Sequence, residues 1–304
     1  MRGGEDVLSL RKIFLKAVAG GLMLLSCFLV CLTGSNKAAA AQNENAVDSP
    51  EVIVPQTALW PKTDGDTYLK KGEFTVDISN VSQGYFRAKR SSSSKKMKMR
   101  VTKGDVKYDY DLIANGEYVV FPLQMGDGKY KVSLYANVSG NKYSKEAEVE
   151  FTVTLDEEYV PYLYPSQYVD YNELSKAMTM SAKLCEGLET DEEKYEAIVA
   201  YVRANFKYDI ERARANPGFY LGDVEGCYET KKGLCQDFAA MTACMLRVQG
   251  IPTRLVIGYA DKQYHAWNSV YLVGDDGKGE YKMLDITAEV TGVGAKKYTV
   301  ERWY

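Results

Sequence analysis

The sequence predicts an α+β protein: an N-terminal Ig-like antiparallel β-sandwich, followed by a domain in which helices precede strands. Three observations predict this. Apolar residues recur with period two between Glu73 and Leu155. Beyond Glu157 the spacing becomes that of helices. After Gly250 it returns to strand-like runs. At 304 residues the chain is long enough for two domains.

Residues 1–41 have the layout of a cleavable signal peptide. Arg11, Lys12 and Lys16 precede an apolar stretch from Ala17 to Leu32, and Ala38 to Ala41 form a small-residue run before Gln42. Cleavage near Ala41 predicts a secreted, extracellular protein. An uncleaved anchor is the weaker reading, because the apolar run is short for a bilayer of ~30 Å. A lipoprotein using Cys27 is weaker too, because the run continues past it to Leu32. Loss of the segment removes five Lys/Arg and two Asp/Glu, taking the net charge from -3 to -6. This mild acidity gives no reason to expect nucleic acid. Residues 42–71, polar and punctuated by Pro50, Pro55 and Pro61, read as a linker.

Residues 72–156 are assigned to the β-sandwich. Phe74, Val76 and Ile78 alternate with polar residues, as do Tyr130, Val132 and Leu134, and Val149, Phe151 and Val153. Turn residues at Asn115-Gly116, Gly126-Asp127-Gly128 and Gly140-Asn141 separate about seven short strands. The basic run from Arg87 to Arg100 suits either an anionic cell-wall polymer or a strand with one wet face. The alternation of Met97, Met99 and Val101 with Lys96, Lys98 and Arg100 favours the strand. A turn at Lys103-Gly104 would set Lys98 opposite Asp109 and Lys96 opposite Asp111, each pair contributing roughly 0.2–1 kcal/mol.

Residues 157–304 form the second expected domain. The connector from Tyr159 to Pro165 leads into a helix from Tyr171 to about Glu186. A second helix starts at a capping box, Thr190 with Glu193. The third runs from Cys235 to about Gln249, ending before Gly250. Strands follow at Thr253–Ala260, His265–Val273 and Tyr281–Asp285. Each half has its own apolar periodicity, so residues 42–155 are expected to fold alone.

His265 is the only histidine in the chain, and no C-x-x-C pair occurs, which argues against a zinc site. Nothing resembles a calcium loop, so no cofactor is expected. After signal removal four cysteines remain: Cys185, Cys227, Cys235 and Cys244. Cys235 would start the third helix just after Gly233, where the helix dipole and unpaired N–H groups favour thiolate and can hold an oxyanion. If the strands are neighbours, Asp285 can orient His265 towards Cys235. Cys244, nine residues on, faces the opposite side and belongs to the core. Trp267 and Tyr259 read as packing, and Asp237 as serving the dipole. Tyr264 and Tyr228 are weak candidates for a side-chain oxyanion donor.

The motifs Gly233-Leu234-Cys235-Gln236-Asp237-Phe238-Ala239, Ile251-Pro252-Thr253-Arg254, Gly258-Tyr259, His265-Ala266-Trp267-Asn268 and Asp285-Ile286-Thr287 resemble, in order, the core of the transglutaminase-like superfamily. The resemblance covers roughly Tyr171 to Thr287. It implies a papain-like fold, with Cys235 as nucleophile, His265 as general base and acid, and Asp285 as orienter. The whole layout is similar to that of secreted Firmicutes members with an N-terminal β-domain. Such a protein acts on a protein or peptide substrate, with cell-wall association one setting. The family contains proteases, cross-linkers and members of unproven activity. The expected chemistry is therefore attack on a peptide or glutamine side-chain amide through a thioester, with hydrolysis and amine transfer both open. The rival class is a cell-surface binding protein whose thiol domain is inert.

Overall fold

Two antiparallel four-stranded sheets arise between Tyr68 and Val153. Their strands are β1 (Tyr68–Lys71), β2 (Phe74–Asp77), β3 (Tyr85–Arg90), β4 (Met97–Lys103), β5 (Val106–Leu112), β6 (Val119–Pro122), β7 (Gly128–Ser139) and β8 (Lys142–Val153). One sheet has the order β1-β2-β3-β6, the other β5-β4-β7-β8. The computed structural model describes residues 52–304, apart from 216, 217, 219, 275 and 276. The expected signal peptide, and the linker up to residue 51, lie outside the described residues.

The alternating residues fill the space between the sheets. Phe86 of β3 meets Phe151 of β8 with ring centroids 5.6 Å apart, and Tyr110 of β5 meets Phe121 of β6 at 5.2 Å. The β4–β5 turn is at Gly104-Asp105, with Lys103 paired to Val106, not at the expected Lys103-Gly104. A two-residue hairpin turn needs a left-handed residue first, and Gly104 has φ +55°. The register shifts by two residues, so every side chain keeps its face. Lys98 now pairs with Asp111 at 3.0 Å and Arg100 with Asp109 at 2.6 Å. The second half of the basic run is the outer face of β4, whose charges at 98 and 100 are taken up by carboxylates.

The rest of the chain forms α1 (Lys176–Leu184), α2 (Asp191–Asn205), β9 (Lys207–Tyr208), α3 (Ile210–Arg214), α4 (Val224–Thr230), β10 (Lys232–Gly233), α5 (Cys235–Arg247), β11 (Thr253–Ala260), β12 (Gln263–Val273), β13 (Gly279–Leu284), α6 (Ile286–Thr291) and β14 (Tyr298–Trp303). The last strands make an antiparallel sheet ordered β13-β12-β11-β14. Helix α5 lies against β11 and β12 and is surrounded by α1, α2, α4 and α6. Every residue from Gln236 to Arg247 is buried, so α5 is the axis of this half.

The capping box of α2 forms as the sequence predicts. Thr190 Oγ1 accepts from the Glu193 N–H, and Glu193 Oε2 accepts from the Thr190 N–H. Helix α1 starts five residues later than expected. Ser175 is extended, and its hydroxyl accepts the Asn172 N–H, so residues 171–175 form a turn. Helix α5 ends at Arg247, two residues early.

The boundary expected between 156 and 157 is a packed junction. Tyr162, in the connector, accepts a hydrogen bond from Trp303 Nε1 at 2.8 Å and donates to the Gln124 carbonyl at 3.2 Å. The Tyr304 ring stacks on Tyr168 and meets Tyr108 and Tyr110 edge-on. Residues 52–71 likewise depart from a free linker. Thr57 Oγ1 donates to the Val248 carbonyl at 2.7 Å, Trp60 packs on Tyr171, and 68–71 are strand β1. Buried partners outweigh their polar composition.

Candidate active site

Cys235 occupies the first position of α5. Leu234 before it is extended, with φ −99° and ψ 179°, so the chain turns into the helix at the thiol itself. The first-turn N–H groups have no partner within a helix and carry the positive end of its dipole. Gly233 ends the short strand β10, just before the helix. A Cβ there would lie 2.9 Å from both the Asp237 Cβ and the Cys227 Sγ, so glycine is required by close packing.

His265 is the third residue of β12, opposite Gly258 of β11. Gly258 too is fixed by close approach: a Cβ would sit 2.0 Å from the Thr299 carbonyl oxygen as β14 passes. Asn268, further along β12, donates to the Ala239 carbonyl at 2.9 Å and so locks this strand to α5. Strand β12 therefore presents His265 to the start of the helix.

Asp285 follows β13 and caps α6. Its Oδ1 accepts the Ala288 N–H at 3.1 Å. Its Oδ2 is 2.9 Å from His265 Nε2 and accepts the Tyr298 hydroxyl at 2.7 Å. One carboxylate oxygen thus fixes the carboxylate and the other fixes the imidazole. The remaining ring nitrogen, Nδ1, is left for Cys235. Burial pushes the imidazole pKa down, but hydrogen bonds to Asp285 and Cys235, and the charges of both, outweigh it and hold His265 at about 9. Burial pushes Asp285 up, yet its bonds from His265 and Tyr298 bring it below the usual carboxylate range.

The three sequence-predicted residues therefore come together. The cleft over them, of about 170 Å³, is lined by Tyr208, Tyr220, Leu234, Gln236, Ile257 and Tyr264 as well as Cys235 and His265. Of the two weak oxyanion candidates, Tyr264 lines this cleft. Tyr228 does not: its ring lies under Lys231 Nζ at 3.5 Å, facing Phe206. Tyr208 and Tyr220 were missed, since nothing in their local sequence marks them. A larger concavity of about 1100 Å³, between Thr190–Glu192 and β12–β13, contains none of these residues.

Trp267 is buried and lies beside His265, with ring centroids 6.1 Å apart and planes within 22°. Tyr259 is 39% exposed and packs edge-on against Tyr264. Asp237, expected only to serve the helix dipole, receives four donors and is fully buried. The four cysteines 185, 227, 235 and 244 are all free. Burial pushes the thiols of Cys185, Cys227 and Cys244 up, leaving them poorly ionised. Among the described residues no cluster of three His, Cys, Asp or Glu side chains could hold a metal ion.

The chain is similar to several solved structures. A candidate cysteine protease from Cytophaga hutchinsonii is 15% identical over 72% of this chain and 91% of that one, with a TM-score of 0.37. A TGase is 23% identical over 54% of this chain and 47% of that one, with a TM-score of 0.32. A transglutaminase of red sea bream is 15% identical over 69% and 49%, with a TM-score of 0.30. The chain thus spans about half the length of those two transglutaminases. No curated protein matches the sequence. Residues 178–283 match the family model of the transglutaminase-like superfamily, a span that holds Cys235 and His265 and stops two residues before Asp285. The chain carries a transglutaminase-like superfamily domain.

Proposed function

We propose that this protein is a secreted thiol enzyme that opens peptide or glutamine side-chain amides through a thioester. The observation that carries this reading is the arrangement of Cys235, His265 and Asp285, with Asp285 2.9 Å from one imidazole nitrogen and Cys235 lining the same cleft as the ring. Secretion is supported by the signal-like order of residues 1–41. An Ig-like sandwich is supported by strand division: without β1, three strands oppose four.

His265 takes the Cys235 proton as the sulfur attacks the amide carbon. The oxyanion forms against the N–H groups that open α5. His265 gives its Nδ1 proton to the leaving amine, and the C–N bond breaks to leave a thioester. His265 then takes a proton from the second nucleophile, which displaces the thiol. Asp285 holds the ring in the tautomer and orientation that both steps need.

Hydrolysis is favoured over amine transfer. Cys235 is part exposed and the His265 side chain is 14% exposed, so water reaches both. The test is mass spectrometry of a mixed peptide library incubated with the protein and a primary amine. Cleavage or a one-unit mass gain marks hydrolysis. A gain equal to the amine minus ammonia marks transfer. Unchanged peptides would reject catalysis on this substrate class and favour an inert thiol domain.

A further inference from the structure

Asp237 lies two residues after the nucleophile, in the first turn of α5. A bare carboxylate there would oppose formation of a neighbouring thiolate. Its surroundings resolve the conflict. The side chain is 1% exposed and accepts from Arg212 Nη1 at 2.6 Å, from the Tyr220 hydroxyl at 3.0 Å, and from the N–H groups of Asp223 at 3.1 Å and Leu234 at 2.8 Å. Arg212 belongs to α3 and also lies over the Tyr220 ring at 4.5 Å. Tyr220 lines the cleft beside Cys235.

We infer that Asp237 and Arg212 are a positioning pair: the carboxylate ties the Tyr220 wall of the cleft to the helix that carries the nucleophile, and the guanidinium cancels its charge beside the thiolate. The inference rests on the thiol chemistry proposed above. Two roles meet in one residue. Four donors from three places in the chain converge on Asp237, so the wall and the helix start are held at one spacing. Arg212 is the only cation among those donors, so the field at Cys235 depends on it.

His265, backed by Asp285, favours the thiolate. Tyr208, Tyr220 and Tyr264 are kept protonated, since burial pushes all three up. Asp209 and Asp223 cap α3 and α4, accepting from the N–H groups of Arg212 and Gly226. Cys227, behind Gly233, is held neutral by burial.

The test is the pH profile of Cys235 alkylation by iodoacetamide, followed by peptide mapping in the full chain. Arg212→Gln should move the acid limb to higher pH, lowering the rate at pH 6 about tenfold for each pH unit moved. Adding Asp237→Asn to Arg212→Gln should return the limb towards its original position, since the opposing charge is gone. Arg212→Lys, which keeps the charge on a different shape, should hold the limb in place while raising KM for the peptide substrate found above. These three profiles separate electrostatics from simple loss of structure, which would slow all variants alike. If Arg212→Gln leaves the limb unmoved, or the double variant fails to bring it back, the pairing is overturned. If the unsubstituted chain itself alkylates only at alkaline pH, it is the proposed thiol function that fails.

Discussion

Two carboxylates, one in each half of the chain, are held below the usual carboxylate range by different partners. In the β region, Asp77 faces Arg87, with Nη2 2.5 Å and Nε 3.1 Å from Oδ2, and accepts the Ser79 N–H. Burial alone would push Asp77 up, and those bonds bring it down. In the cleft, Asp285 faces His265 in the same way. Arginine stays charged at any pH the fold meets, so the Asp77 pair can only hold strands β2 and β3 together. Histidine can give up its proton, so the Asp285 pair can do chemistry. A carboxylate with a cationic partner is a staple in one place and, under the proposed function, the orienter of an acid–base group in the other.

The comparison breaks most visibly by deletion. Cys235→Ala should cut amide turnover by at least about 10³-fold while the thermal transition stays in place, because one small side chain is lost at an open cleft. Asp77→Ala should do the reverse. It leaves the buried Arg87 charge unpaired, at a cost of about 3–5 kcal/mol in a urea titration, with alkylation of Cys235 in the folded fraction unchanged. If Asp77→Ala slowed alkylation, the two halves would not be separable in this way.

Titration sharpens the comparison. His265 is raised from 6.5 to about 9. Its contribution to stability is therefore fully present below pH 6.5 and is lost as pH rises through about 9, amounting to at most about 3 kcal/mol for the coupled thiol–imidazole pair. His265→Gln should lack this loss, and unfolding midpoints at pH 6 and pH 9.5 will show it. Asp77 and Asp285 are both lowered, so both contribute above the unfolded carboxylate pKa and lose that contribution as pH falls through their folded values. Acid should weaken both halves, whereas alkali should weaken the cleft first.

Smaller effects test the supports. Tyr298→Phe removes one donor from Asp285 and should cost about 1 kcal/mol, read as a several-fold fall in turnover with KM unchanged. Lys98→Ala breaks an exposed pair with Asp111 and should change stability by less than about 1 kcal/mol.

The sequence by itself singled out Cys235, His265 and Asp285 as candidates for one site. A lone histidine, a cysteine at a helix start and an aspartate at a strand end leave few alternatives. It also determined which faces of β4, β5, β7 and β8 are buried, because period-two alternation survives even a register shift of two residues. Only the tertiary structure decided the rest. The elements α3, α4, α6 and β14 are too short for periodicity to mark, and long-range packing fixes them. Tyr220 and Arg212 reach Asp237 from 17 and 25 residues away, so no local pattern shows that this carboxylate is a hub. The packed junction at Tyr162, Trp303 and Tyr304 is invisible for the same reason. Its contacts join residues as far apart as Tyr108 and Tyr304, and sequence periodicity reports which side of an element is buried, not what buries it.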